Sequence, residues 1–202
     1  GLSRLSQNVL LAGSDKALFR STNLGTTWDS VAALILSRRA IVLSDGRILL
    51  KTYQGIYFSD DNGVSWQPTS APTNIGGYFT VNSTSTVFTA DYYKGIFRST
   101  DRGYSWTESE VGIVNSTVKN VFAIGENVLC YADVTYRTTD KGFNWEKTSV
   151  PPRSSLYFFH YAKTSGDTVF AISSSFYRSA DAGATWLRLG TASVPGIINS
   201  LA

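Results

Sequence analysis

Carboxylates are the side chains of this chain whose positions most readily suggest chemistry. Asp15, Asp91 and Asp133 fall at similar loop positions in separate stretches of the sequence, and two such groups at suitable separation could act as the acid and the base or nucleophile of glycoside hydrolysis. Asp91 also opens "DYYKG" at 91–95, where Tyr92 and Tyr93 offer flat apolar faces with polar tips between one acid and one base, Lys94. That combination suits stacking on a sugar or on a protein partner. Tyr53, Gln54, Arg38, Arg39 and Arg153 are predicted on the same loop face. The similar placement of the three aspartates equally admits a repeated structural role.

A second carboxylate motif argues against chemistry by recurring. "SDDNGVSW" at 59–66 has echoes in "STNLGTTW" from Ser21, "STDRGYSW" from Ser99, "TTDKGFNW" from Thr138 and "SADAGATW" from Ser179. The pattern is Ser or Thr, any residue, Asp, any residue, Gly, two residues, Trp. Asn23 alone replaces the Asp of Asp61, Asp101, Asp140 and Asp181. A tight turn needs one position of positive φ, available at low cost to Gly25, Gly63, Gly103, Gly142 and Gly183. The Asp can fold back onto backbone N–H groups of its own turn, and the Ser or Thr does so more weakly. The tryptophan ring can fill the wedge between neighbouring sheets while its indole N–H finds a carbonyl. A helix-loop-helix calcium loop is excluded, because it needs oxygen ligands at alternate positions and a closing Glu, whereas "VSWQPT" follows Gly63.

Trp28, Trp66, Trp106, Trp145 and Trp186 are all the tryptophans, spaced 38, 40, 39 and 41 residues apart. A period near forty corresponds to a four-stranded propeller blade, which cannot bury its faces without neighbours. The predicted fold is therefore an all-β, five-bladed β-propeller forming one domain over 1–202. Joining the termini would give a final step of 44, and "PGIINSLA" resembles the start of a repeat. The expected blades are 197–202 with 1–30, then 38–68, 78–108, 118–147 and 156–189. The C-terminus is thus expected to supply the innermost strand of the N-terminal blade, removing open edges. In the second repeat, strands are predicted at 40–43, 47–52 and 56–59, with a fourth carrying Trp66. Their β-branched and aromatic content favours half-buried strands.

The five-fold motif resembles the Asp-box, or bacterial neuraminidase (BNR) repeat. This repeat occurs in sialidase-like propellers, sortilin-type receptors, xyloglucan-cleaving glycosidases and a photosystem II assembly factor family. The resemblance spans essentially the whole chain. It implies that the boxes sit on the turn between the third and fourth strands, away from the ligand face, and hold blades together. It does not transfer an activity.

Composition narrows the function classes. Charged residues make up 16% and aromatic residues 13%, so much of the surface is Ser, Thr, Asn and Tyr, which suits secreted or periplasmic life and glycan contact. A net charge of +3 with scattered Lys and Arg lacks the clustered basic stripe of a nucleic-acid binder. No apolar run is long enough for a membrane span. The absence of Met is read as an export signal already removed. Cys130 in "NVLCYA" reads as a buried structural thiol. His160 has no second His or Cys with which to hold a metal, and no cofactor motif is present. "NST" at Asn82 and Asn115 would accept a glycan only in a eukaryotic secretory pathway. Arg20, Arg98, Arg137 and Arg178 recur just before the boxes and are expected to line outer or inter-blade surfaces and pair with acids.

Two function classes follow. A sialidase-like enzyme needs three converging arginines, a tyrosine paired with a glutamate, and an acid, yet the glutamates are only Glu108, Glu110, Glu126 and Glu146. A glycosidase using Asp15, Asp91 or Asp133 stays open as the alternative. Short loops, few acids and many Tyr, Ser and Asn favour a non-catalytic module that binds a glycan or protein partner through its loop face. The sequence leaves oligomeric state open.

Overall fold

The structure, a computed structural model, describes residues 2–33, 39–52, 54–71, 79–91, 94–114, 117–132, 134–148, 160–163, 166–172 and 176–190. Among these every regular element is a strand, and the strands form five four-stranded antiparallel sheets. The first sheet holds β1 (Leu2–Arg4), β2 (Leu10–Gly13), β3 (Leu18–Ser21) and β4 (Asp29–Ala32). The second holds β5 (Arg39–Val42), β6 (Ile48–Thr52), β7 (Gly55–Ser59) and β8 (Gln67–Pro68). The third holds β9 (Phe79–Val81), β10 (Val87–Asp91), β11 (Gly95–Ser99) and β12 (Thr107–Glu108). The fourth holds β13 (Asn120–Ile124), β14 (Asn127–Tyr131), β15 (Thr135–Thr138) and β16 (Glu146–Lys147). The fifth holds β17 (His160–Lys163), β18 (Val169–Ile172), β19 (Phe176–Ser179) and β20 (Leu187–Gly190). Strands follow in simple sequence order within every sheet, as short hairpin connections dictate.

One expectation needs correction. The innermost position of the first sheet, assigned from sequence to residues 197–202, is held by Leu2–Arg4, which pairs with Leu10–Ala12. The three-residue "LSR" is long enough to complete the ladder, so among the described residues the first sheet has its four strands from its own segment. Residues 197–202 themselves lie outside the described residues.

A second difference concerns burial. The second strands of the two sheets at 39–68 and 79–108 are buried on both faces rather than half-buried: every residue of β6 and of β10 is buried. The second and third sheets each pack against a neighbour on both sides, so alternation of apolar and polar residues there has no solvent face to mark. The apolar clusters accordingly lie at the seams between sheets. Leu11 and Leu18 of the first sheet meet Ile48 and Leu50 of the second. Leu49 and Ile56 meet Phe79 and Val87 of the third, Phe88 and Ile96 meet Val121 and Val128 of the fourth, and Leu129 meets Val169 and Ala182 of the fifth. Cys130 is a free thiol within the third of these seams, and complete burial pushes its pKa far up.

Candidate functional site

All five boxes fall between the third and fourth strands of their sheets, and their hydrogen bonds explain the residue types. In the second copy, the Ser59 hydroxyl donates to Asp61 Oδ1 at 2.7 Å and accepts the Gly63 N–H at 2.9 Å. Asp61 accepts the Ser65 N–H and, at 2.6 Å, the Ser65 hydroxyl. The Trp66 indole N–H donates to the Gly63 carbonyl at 3.2 Å. These donors, the Ser65 hydroxyl first, lower the Asp61 pKa to about 2. The carboxylates of Asp101, Asp140 and Asp181 repeat the pattern and are held below the usual range by the same kind of donors, against the opposing effect of partial burial. In the first copy Asn23 keeps the turn but reverses one bond, its Nδ2 donating to the Thr27 hydroxyl. The carboxylates are therefore engaged within their turns and are not offered to a substrate.

The box glycines have φ between +80° and +89°, as the sequence required. The residue before each also lies in the left-handed region: Leu24, Asn62, Arg102, Lys141 and Ala182, with φ from 53° to 66°. Nothing in those five side chains announces this. The pair of left-handed residues turns the preceding carbonyl outward, where the neighbouring sheet uses it. Arg20 Nε donates to Asn62 O at 2.8 Å, Arg98 to Lys141 O at 3.0 Å and Arg137 Nε to Ala182 O at 3.1 Å. Three of the four recurrent arginines, Arg20, Arg98 and Arg137, thus grip main-chain carbonyls of the next sheet, which corrects the expectation that they pair with acids.

The second sheet breaks the recurrence with Phe58 in the arginine position. Arg47, from the start of its second strand, takes over and donates to Arg102 O at 3.5 Å. Its guanidinium also holds Asp60 through two bonds of 2.7 and 2.5 Å, donates to the Tyr104 hydroxyl, and lies between the rings of Phe58 and Tyr104. Only 1% of Arg47 is exposed. With the Asp45–Arg102 ion pair it borders a groove of about 600 Å³ on the box side of the molecule. The charges there are mutually paired. Sequence reasoning missed this cluster, although Phe58 standing alone among arginines was a visible signal.

On the opposite face, the turns between second and third strands are closed by one device. Ser14 Oγ accepts the N–H of Lys16 and Ala17, Thr52 Oγ1 accepts that of Gln54, and Asp91 Oδ1 accepts that of Lys94 at 2.8 Å. Asp91 is 2% exposed, so it is a buried turn cap at the position of Ser14 and Thr52. Beside it, Lys51 is buried and donates to Thr89 Oγ1 at 2.9 Å and to Ala90 O at 3.3 Å, tying the second sheet to the third. Glu110 lies against Gly95, at the other end of the "DYYKG" loop. A Cβ on Gly95 would stand 1.2 Å from Glu110 Oε1. That oxygen is buried with no hydrogen-bond partner among the described residues, and burial raises the Glu110 pKa, partly opposed by the Ile96 backbone N–H and reinforced by Glu108.

Of the residues singled out from sequence, Asp91, Lys94 and Gln54 are at this face, with Lys94 and Gln54 exposed. Asp15 is exposed in the turn of the first sheet. Arg39 begins β5. Tyr53, Tyr92, Tyr93, Asp133, Arg38 and Arg153 lie outside the described residues, as does the side chain of His160. Among the described residues no group of His, Cys, Asp and Glu could hold a metal, and no helix is long and apolar enough to cross a membrane.

Comparison with known proteins fits this architecture. The BNR/Asp-box repeat model matches residues 57–68, the second of the five turns. No curated protein matches the sequence. Among solved structures, the GH74 xyloglucanase from Xanthomonas campestris is similar with a TM-score of 0.62 and 18% identity, over 90% of this chain and 36% of that one. The extracellular domain of a proposed one component system from B. thetaiotaomicron gives 0.70 and 14%, over 95% and 31%. YCF48 from Cyanidioschyzon merolae gives 0.51 and 14%, over 92% and 82%. The chain spans about a third of the length of the GH74 structures, between 30% and 36%. At such identities the likeness speaks for fold alone. A matched repeat, the same side-chain-locked turn at the end of the third strand in all five sheets, and neighbours of one architecture make the chain similar in fold to BNR/Asp-box β-propellers.

Proposed function

We propose that the chain is a non-catalytic recognition or scaffold module that binds a glycan or a protein partner through the loop face around residues 91–95, in a secreted or periplasmic setting. The observation that carries this reading is the use of Asp91. Its carboxylate is buried and closes its own turn, so the loop richest in binding residues holds its acid as a structural cap, unavailable to a reacting bond. Burial of Lys51 against Thr89 and Ala90 fixes the base of the same loop. The described residues on either side of the Tyr92–Tyr93 step are thus held in place, which supports a binding role for that loop, since aromatic anchors gain from a preorganised support.

The experiment is a glycan-array screen run beside hydrolysis assays on sialosides and β-glucans, using the wild-type chain, Tyr92→Ser/Tyr93→Ser and Asp91→Asn. Sugar binding that is lost in the tyrosine variant, without turnover, is the expected result. Turnover abolished by Asp15→Asn or Asp133→Asn would instead establish the glycosidase reading. Silence in both assays, with a protein partner captured only by the wild-type tyrosines, would select the protein-binding form of the proposal.

A further inference from the structure

In a molecule built from five like sheets, side chains that the repetition does not explain are informative where they gather in one place. Phe58 stands in register where the other sheets have Arg20, Arg98, Arg137 and Arg178. Two residues before the side chain paired with that position, the other sheets have Val9, Thr86, Asn127 and Thr168, and the second has Arg47. Asp45 stands where the other hairpins have Gln7, Thr84, Gly125 and Gly166, and Asp60 where the other boxes have Thr22, Thr100, Thr139 and Ala180. All four departures fall in the second sheet. Asp45, Arg47 and Asp60 border the groove on the box side, and Phe58 lies against Arg47.

Replacing a recurrent arginine accounts for only part of this. Arg47 reaches Arg102 O at 3.5 Å, longer than the 2.8, 3.0 and 3.1 Å of the other three grips. Its shorter bonds go to Asp60 and to the Tyr104 hydroxyl. The rings of Phe58 and Tyr104 lie 4.3 and 3.8 Å from the guanidinium carbon, which holds the fork flat. The Asp60 carboxylate, bound to that fork at two points, is thereby fixed in direction. It is nevertheless 50% exposed, and where Asp45 and Arg102 pair they are 40% and 44% exposed. A counter-ion serving only a buried cation needs no open side.

The groove offers donors and acceptors together without net charge. The charged residues that line it are Asp45, Asp60, Arg47 and Arg102, two of each sign, so no surplus draws in an anion or a cation. Each carboxylate has lone pairs beyond those that its partners use, and the Arg102 guanidinium, paired with Asp45 through Nε, has further N–H groups. Leu5, Val42 and Ile48 supply apolar lining, and Tyr104 adds an aromatic ring, 46% exposed. Oriented acceptors and donors beside apolar and aromatic surface match a sugar ring, whose hydroxyls both donate and accept and whose C–H face packs on such surface. The volume of about 600 Å³ is that of a small-molecule site.

We propose that this groove binds an uncharged sugar residue, with Asp45 and Asp60 accepting its hydroxyls and Arg102 donating to them. It lies on the box side, opposite the loop face, so it is a second recognition surface that does not depend on Tyr92 or Tyr93. Its polar groups are already oriented by their neighbours, which spares a ligand the cost of ordering them.

The test follows backbone amide shifts of the intact chain by NMR as glucose, galactose, xylose and cellobiose are added in turn, with N-acetylneuraminate and glucosamine as anionic and cationic controls. An uncharged sugar should shift the amides of Gly46, Asn62 and Arg102 saturably, and equally at low and high salt. Asp45→Asn, a change at an exposed side chain, should weaken that binding roughly tenfold or more by removing a charged acceptor. Asp60→Asn, of the same shape as the native residue, is the second variant and should act alike. Tyr92→Ser/Tyr93→Ser should leave the binding unchanged, which separates this site from the loop face. The proposal is overturned if none of the four sugars shifts these amides, or if the shifts are confined to Gln54, Lys94 and Gly95. A response to the charged controls alone, or binding that both Asp45→Asn and Asp60→Asn leave intact, overturns it equally.

Discussion

Truncating Trp145 should damage this protein far more than truncating Trp28, although both occupy the same place in the repeat. Trp145 is 3% exposed, packs edge-on to Phe88 with ring centroids 6.2 Å apart, and donates its indole N–H to Ser109 Oγ at 3.1 Å. The strip 109–113 covers it, with Trp145 N–H bonded to Val111 O and the Trp145 carbonyl filling the space that a Cβ on Gly112 would need. Deleting a buried ring of this size costs about 3–5 kcal/mol through lost transfer energy and the cavity left behind. Trp28 is 37% exposed, and its indole bond to the Gly25 carbonyl can be replaced by water. About 1 kcal/mol is expected there. For a chain of this length each kcal/mol moves the thermal midpoint by about 2–4 °C. Trp145→Ala should therefore unfold roughly 10 °C below wild type and Trp28→Ala within about 4 °C, measured by circular dichroism in dilute solution. Equal shifts would refute the assignment of the ring's energy to what the neighbouring sheet lays over it.

Arg137→Met should destabilise by about 1–3 kcal/mol, because the carbonyl of buried Ala182 loses a charged donor, Arg98→Met, whose bond to Lys141 O is exposed, by about 1 kcal/mol, and Arg178→Met, at an exposed residue, should stay within about 0.5 kcal/mol; urea unfolding separates these outcomes. Asp61 is depressed to about 2 from an ordinary 3.8, so its contribution is present above pH 4 and is lost as pH falls toward 2. Asp61→Asn should flatten that acid limb of the stability curve, and an unchanged slope would count against the turn hydrogen bonds. Gly95→Ala should cost about 1–2 kcal/mol, since φ there is +81° and left-handed backbone strains a side chain. The same change must displace the Glu110 carboxyl, and NMR titration should then find its pKa lower than in wild type. Cys130, fully buried with a raised pKa, should resist thiol reagents until the chain unfolds.

Much of the frame was legible because it repeats. Five tryptophans near a forty-residue spacing located five sheets, and the Ser, Asp and Gly types of the box foretold the turn that they make. The partners of the arginines were not legible, since a main-chain carbonyl has no residue type to recognise. Left-handed φ at Leu24, Asn62, Arg102, Lys141 and Ala182 was hidden for the same reason, being imposed by the hydrogen bonds around it. Asp91 looked like chemistry when read alone, and aligning it with Ser14 and Thr52, each at the end of a second strand and three residues after Leu11, Leu49 or Phe88, would have marked it as a cap. Leu2–Arg4 escaped because three residues are too few to show a period, and the C-terminal likeness to other repeat starts drew the innermost strand there instead.

The grip on main-chain oxygen has a consequence for how such chains change over time. A latch that recognises a side chain must change in step with it, but the residues at 62, 102, 141 and 182 are Asn, Arg, Lys and Ala, and every one offers the same acceptor. A unit can then be copied, exchanged or allowed to drift without its neighbour having to follow, so long as a glycine and an outward carbonyl survive. Even the swap of the usual arginine for Phe58 was absorbed by a guanidinium arriving from Arg47. Interchangeable parts of this kind leave the seams of this chain tolerant of change at positions 62, 102, 141 and 182.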